Sequence, residues 1–222
     1  MKKTLLFLLL FSSIMVGITY YFQTSNSEKS KSLPILNPID LQEEMVDPEL
    51  LRIGYGHTIG DFSLIDQENQ KITEKTIEGK VFVAEYFFTT CQTICPIMNS
   101  QMQRIDNKFG NNKKFQILSF TVDPEKDTPS ALKAYAVAHN AGKNWHFITG
   151  KKEKLYALAR KSFFVLKPAA AINQGDVGSD FIHTNNFVLV DKNKRIRGYY
   201  DGTNSKEVDS LLRDINLLLK EK

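Results

Sequence analysis

The chain has 222 residues, of which 42% are hydrophobic, 24% charged and 11% aromatic, and its formal net charge is +4. That balance is ordinary for a globular protein, excludes a chain disordered throughout, and suits one substantial core. Acids and bases are mixed along the sequence, as where Lys151, Lys152 and Lys154 surround Glu153, so no stripe suited to nucleic acid stands out.

Lys2 and Lys3 precede an apolar run over residues 5–22 that is broken only by small or hydroxyl side chains such as Ser12, Ser13, Gly17 and Thr19. This pattern predicts an export signal. Its length approaches the ~20 residues that cross a bilayer as a helix and exceeds the ~7–15 of a cleavable signal, so retention as an anchor is expected. No Ala-x-Ala site follows the run, and no cysteine stands behind it to accept a lipid. The positive-inside rule then holds the tip in the cytoplasm and sends the rest across a bacterial-type inner (cytoplasmic) membrane, so that a single N-terminal anchor carries an extracytoplasmic domain. Residues 23–37 are rich in Ser, Lys and Asn, contain Pro34, and have too few large apolar groups for a core. The expected organisation is an anchor at 1–22, a tether and extended lead-in at 23–48, and a folded domain at 49–222.

The domain opens with a predicted hairpin, with strands at 62–66 and 71–73 around a turn at 67–70. Residues 81–88 form a nearly continuous apolar and aromatic run that suits a strand buried on both faces. Behind Pro96, Met98, Met102, Ile105 and Phe109 recur at helical spacing until Gly110 supplies a stop. A strand at 115–121, a helix at 129–140, a strand at 145–148 and a helix at 151–164 follow. A closing hairpin at 186–190 and 196–200 leads to a helix at 208–219 with Leu211, Leu212, Ile215 and Leu219 on one face. No internal repeat appears. Such alternation predicts a mixed α/β fold, its central sheet flanked by helices on both sides, with a functional loop at the end of the central strand.

The two cysteines, Cys91 and Cys95, sit in that loop. A disulfide between them would close a very small ring and remove little entropy from the unfolded chain, so redox or metal chemistry explains the pair better than stapling does. Thiolates are soft ligands that favour copper(I) and zinc, and a neutral imidazole accepts copper in either oxidation state. Pro96 disfavours helical backbone at Cys95, which predicts that the pair straddles the loop and the helix start, where the helix dipole and free N–H groups lower thiol pKa values.

A trigonal copper(I) site needs a third ligand. His57 lies before the domain core, His139 near the end of a helix and His146 inside a strand, and each reads better as a structural or surface histidine. His183 follows a polar loop over residues 167–179 and stands just before the strand at 186–190; long loops are often functional. Spacing alone leaves its roles as a ligand and as a hydrogen-bonding residue equally open.

The motifs Thr90-Cys91-Gln92-Thr93-Ile94-Cys95-Pro96, Thr121-Val122-Asp123-Pro124-Glu125-Lys126-Asp127-Thr128-Pro129 and Asp180-Phe181-Ile182-His183-Thr184, followed by Leu189-Val190-Asp191, together resemble the Sco/SenC family of copper-binding assembly factors. The similarity covers roughly residues 59–220. It implies a thioredoxin-like fold in which Cys91, Cys95 and His183 bind a copper ion, Cu(I) or Cu(II), and a copper chaperone serving the dinuclear copper centre of cytochrome c oxidase, the partner being the copper-accepting subunit. Asp123 and Asp127 match the family's acidic loop and Asp180 lies close to His183; turn and cap roles account for these acids as well as support of the ligands does. Gln92, Thr93 and Ile94 lack the acidic residue often found between the cysteines in relatives, a departure bearing on metal preference and partner docking.

The main alternative is a thiol-disulfide oxidoreductase acting on cysteines of an apo-oxidase subunit, with Cys91 and Cys95 as the redox pair and no need for His183. The three-residue spacing and the absence of proline from residues 169–190 weigh against it, since thioredoxins keep a proline opposite their cysteines. A peroxidase of the peroxiredoxin kind rests only on Thr90 before Cys91 and lacks the expected upstream proline. No enzymatic step is required by the copper reading.

Overall fold

In a computed structural model of the chain, residues 12, 14–19, 32–42, 46, 48–52, 54–165 and 184–221 are described. Leu33–Lys222 makes one compact unit and Met1–Ser32 another. In Met1–Ser32, residues 14–19 are helical, and the Thr19 hydroxyl donates back to the Met15 and Val16 carbonyls at 2.9 Å. Among the described residues no helix is long and apolar enough to cross a membrane, and the run expected as an anchor lies mostly outside them.

The larger unit contains, in chain order, α1 (Pro48–Leu51), β1 (Ser63–Asp66), β2 (Lys71–Thr73), α2 (Glu74–Ile77), β3 (Val81–Phe87), α3 (Cys95–Phe109), β4 (Phe115–Thr121), α4 (Pro129–Ala138), β5 (Trp145–Thr149), α5 (Lys152–Lys161), β6 (Asn186–Val190), β7 (Ile196–Asp201) and α6 (Ser205–Lys220). The strands join in one sheet of order β2-β1-β5-β4-β3-β6-β7. β3, β4 and β5 run parallel, and the two hairpins pair antiparallel on either side, so the mixed sheet and opening hairpin expected from the sequence are present. The short helix α2 was not foreseen: Thr73 caps it by accepting from the Lys75 amide at 3.3 Å, a local signal too brief to show as periodicity.

Alternation along the strands divides the core in two. Phe82, Ala84 and Tyr86 of β3 face a cluster with Ile77 of α2 and Leu155, Tyr156, Leu158 and Ala159 of α5. Val81, Val83 and Phe87 face another, built with Met98, Met102, Ile105 and Phe109 of α3, Leu132 of α4 and Val208, Leu211 and Ile215 of α6. All seven residues of β3 and of β4 are buried because helices cover both faces there. The apolar face of α6 seen in the sequence is extended by Val208, while its Leu212 and Leu219 are only partly buried.

The lead-in is packed rather than free from Leu33 on. Leu36 donates to Ile196 O at 2.9 Å along the β7 edge. The buried Arg197 guanidinium donates to Leu33 O at 2.6 Å and Pro34 O at 3.0 Å, and it also engages Asp191 and Glu221.

Candidate thiol site

Three parallel strands deliver their following loops to one end of the sheet. After β3 the chain turns through Thr89 and Thr90 to Cys91, whose amide donates to Phe88 O at 3.2 Å, and enters α3 at Cys95. The pair straddles loop and helix start as the sequence predicts. Cys95 nevertheless stands as the first residue of α3, with Ile94 at the N-cap in right-handed helical backbone and the Met98 amide bonded to Ile94 O at 3.0 Å. The preference that Pro96 imposes on its predecessor is overridden by the packing of Met98 and Met102 into the core, while Pro96 itself stands in the first turn, where its missing N–H costs nothing.

Both cysteines are buried and both are free thiols. The expectation that the helix start would lower both thiol pKa values holds for one of them. At Cys91 burial pushes upward, but hydrogen bonds from the Cys95 thiol and amide and from the Thr93 amide and hydroxyl outweigh it and bring the group down to about 7. The Thr93 oxygen lies 3.7 Å from Cys91 Sγ. At Cys95, burial and then its donation to Cys91 push the thiol far up, with the charge of Glu85 adding to the effect. The arrangement is a nucleophilic sulfur beside a more deeply buried, protonated one.

Two polar groups flank this pair. Asp127, in the loop after β4, accepts from the Thr89 amide at 3.2 Å, from the Thr89 hydroxyl and from the Thr121 hydroxyl, tying the cysteine loop to its neighbour. Glu85 lies on the face of β3 shared with Phe87 and is 1% exposed. One of its oxygens accepts from Ser119 Oγ at 2.6 Å, and Ser119 in turn accepts from Trp145 Nε1 at 2.8 Å; the other has no hydrogen-bond partner among the described residues. Burial raises Glu85 to about 7 against the pull of the Ser119 bond. Glu85 was not foreseen, although a lone acid inside the apolar 81–88 run is a visible signal.

Asp123 acts as a turn residue: it accepts from Lys126 Nζ at 2.9 Å, and its amide bonds Thr121 Oγ1 at 2.9 Å. The three histidines read as structural have such partners. His57 Nε2 meets Ser162 O at 2.9 Å, His146 Nδ1 meets Asp66 at 3.2 Å, and the His139 ring lies against Tyr135 with 4.4 Å between centroids. Asp180 and His183 lie outside the described residues, and among the described residues no three His, Cys, Asp or Glu side chains gather to hold a metal. Thr184, next to His183 in sequence, is buried just before β6. The antiparallel register of Ala84 with Val188 and of Phe82 with Val190 puts the start of β6 at the same end of the sheet as the cysteine loop.

A family model described as SCO1/SenC matches residues 53–220 of this chain. The SCO1 protein homolog of Bacillus subtilis strain 168 is 31% identical over 162 residues, covering 72% of this chain and 81% of the relative. A Stutzerimonas stutzeri protein that carries a provisional name as a copper-binding protein is 30% identical over 143 residues, 64% of this chain and 68% of its own length. Among solved structures, BsSco, described as having a disulfide switch and as a member of the Sco family of cytochrome c oxidase assembly proteins, superposes with a TM-score of 0.61 at 28% identity, covering 74% of this chain and 95% of that one. The thioredoxin-like fold is therefore shared with solved Sco structures.

Proposed function

From the premise that the chain belongs to the SCO1/SenC family, we propose that it is a copper chaperone that carries Cu(I) or Cu(II) on Cys91, Cys95 and His183 for assembly of the dinuclear copper centre of cytochrome c oxidase. The observation that carries this reading is the pair of free, adjacent thiols at the end of the central strand, one of them already inclined to the thiolate. The donor set fits a soft cation, since two sulfurs four residues apart at a helix start leave room for one further ligand. The position of Thr184 and β6 supports a ligand at residue 183, because the chain emerges from that residue at the cysteine end of the sheet. Copper is the cargo here, and its binding releases the protons that the thiols hold.

The partner of this reading is the copper-accepting subunit of a respiratory oxidase, in line with the membership of BsSco in a family of cytochrome c oxidase assembly proteins. Residues 1–22 serve as a single anchor in a bacterial-type inner membrane and residues 23–48 as tether and lead-in, the latter packed against the 49–222 domain from Leu33 on. The domain then works on the extracytoplasmic side.

Copper titration of the reduced full chain, followed by absorption spectroscopy, tests the site. A thiolate-to-copper(II) charge-transfer band is expected; Cys95→Ala should abolish it, and His183→Ala should weaken copper binding while leaving thiol exchange intact. An affinity unchanged in His183→Ala would remove that residue from the site.

A second reading, a thiol-disulfide oxidoreductase acting on an apo-oxidase subunit, is favoured by the split between the two thiols, with Cys91 suited to attack and Cys95 to resolve. Turnover of a peptide disulfide that survives His183→Ala and persists without copper would support it.

A further inference from the structure

Where the chain enters its folded unit, that unit carries a row of lysines. Leu33 and Pro34 are held by Arg197 beside the β6–β7 turn, and the register of Phe82 with Val190 places that turn at the start of β3. The cysteines follow the other end of β3, roughly 20 Å away at ~3.3 Å per residue. Along the rim formed by the strand starts, Lys143 precedes β5, Lys113 and Lys114 precede β4, Lys80 precedes β3, Lys192 lies in the β6–β7 turn and Lys220 ends α6. Hydrogen bonds keep these segments side by side: Val81 N donates to Lys114 O at 3.0 Å, Ile117 N to Asn144 O at 2.9 Å, and the Lys192 side-chain Nζ to Glu221 O at 3.1 Å.

The acids on this rim do not balance the row. Asp191 is buried and already engaged by Arg195 and Arg197, Glu221 is engaged by Arg197, and Lys194 pairs with Asp61; at the β5 end of the rim, Asp66 is buried against His146 and the exposed Glu68 pairs with Lys133. Glu78 is the exposed acid that remains beside Lys80. Lys113, Lys114, Lys143 and Lys220 are exposed and have no ion-pair partner among the described residues. By contrast, the cysteine loop from Phe88 to Cys95 contains no charged side chain.

We propose that this rim is a docking surface for anionic phospholipid headgroups. The inference rests on the reading of residues 1–22 as an anchor. An anchor at residues 1–22 leaves only residues 23–32, Lys29 and Lys31 among them, between the bilayer and the rim. Lysines near an anionic bilayer each contribute about fivefold to its attraction. Docking by this rim turns the cysteine end of the sheet away from the lipid, where an extramembrane domain of a partner can reach both sulfurs.

The test uses the full chain reconstituted in phosphatidylcholine vesicles, with or without phosphatidylglycerol, and reads amine acylation lysine by lysine with mass spectrometry. Lys113, Lys114 and Lys143 should be protected severalfold only when phosphatidylglycerol is present. Protection should vanish at about 1 M salt, where charges more than ~3 Å apart are screened, while Lys126, beyond the end of β4, reacts equally throughout. The Lys113→Gln/Lys114→Gln/Lys143→Gln variant, with an unchanged melting temperature, should lose the protection of Lys220. Equal labelling in both vesicles would overturn the proposal, as would protection that needs no vesicles and rises with protein concentration, which would indicate a second copy. If alkaline washing strips the chain from the vesicles, the anchor reading fails; flotation of the released chain with phosphatidylglycerol vesicles then decides the rim, binding supporting it and its absence overturning it.

Discussion

The Asp127 carboxylate accepts the Thr89 backbone amide at 3.2 Å, so the loop that carries Cys91 is fastened to the loop after β4 by a buried acid. The Thr89 and Thr121 hydroxyls complete its coordination, and three neutral donors hold the charge. Asp127→Ala strands an amide and two hydroxyls in a buried place, and each unmet group costs about 1–3 kcal/mol. A loss of roughly 3 kcal/mol in urea unfolding is expected, with faster hydrogen exchange at the Thr89 amide. Exchange at that amide unchanged from the parent would contradict the role given to Asp127.

Glu85 predicts a dependence of stability on pH. Its carboxyl is raised to about 7 in the folded chain from an ordinary 4.5, so between these values the folded state binds the extra proton. Stability therefore falls as pH rises from about 4.5 to about 7, by on the order of 3 kcal/mol. Glu85→Gln mimics the protonated acid and can still accept from Ser119, so it should flatten that slope and leave the variant more stable than the parent at pH 8. Parallel denaturation curves for the two proteins at pH 5 and pH 8 would rule this out.

Selective alkylation separates the thiols. With Cys91 near 7 and Cys95 pushed far up, about half of Cys91 is thiolate at pH 7, against a few per cent for an ordinary cysteine. Brief treatment with iodoacetamide should modify Cys91 roughly tenfold faster than Cys95, as read by peptide mass spectrometry. Thr93→Val removes a hydrogen bond to the Cys91 sulfur and should move the midpoint of its pH-rate profile upward. First modification at Cys95 would reverse the assignment.

Arg197 carries the attachment of the lead-in. It is buried, and its guanidinium meets two carbonyls of the lead-in and two carboxylates. Arg197→Met leaves Asp191 to Arg195 alone and Leu33 O without its donor, and breaking a buried pair in this way costs about 3–5 kcal/mol. Limited proteolysis should then cut near residue 33, where the parent is protected.

How much of this was legible beforehand follows from the range of the forces involved. The sequence by itself determined the strands at 81–88 and 115–121, the helix behind Pro96 and the cysteine loop between them, because hydrophobic period and proline or glycine punctuation are local properties. Only the tertiary structure decided that Cys95 belongs to the helix rather than to the loop, since packing of Met98 and Met102 into the core overrides the bias that Pro96 exerts on its neighbour. It also decided that the two thiols differ, which depends on the Cys95 and Thr93 hydrogen bonds and on the charge of Glu85, and that Glu85 faces Ser119 across the register of β3 and β4. Burial, donor direction and the approach of charges are set by residues distant in sequence, and no spacing along the chain encodes them.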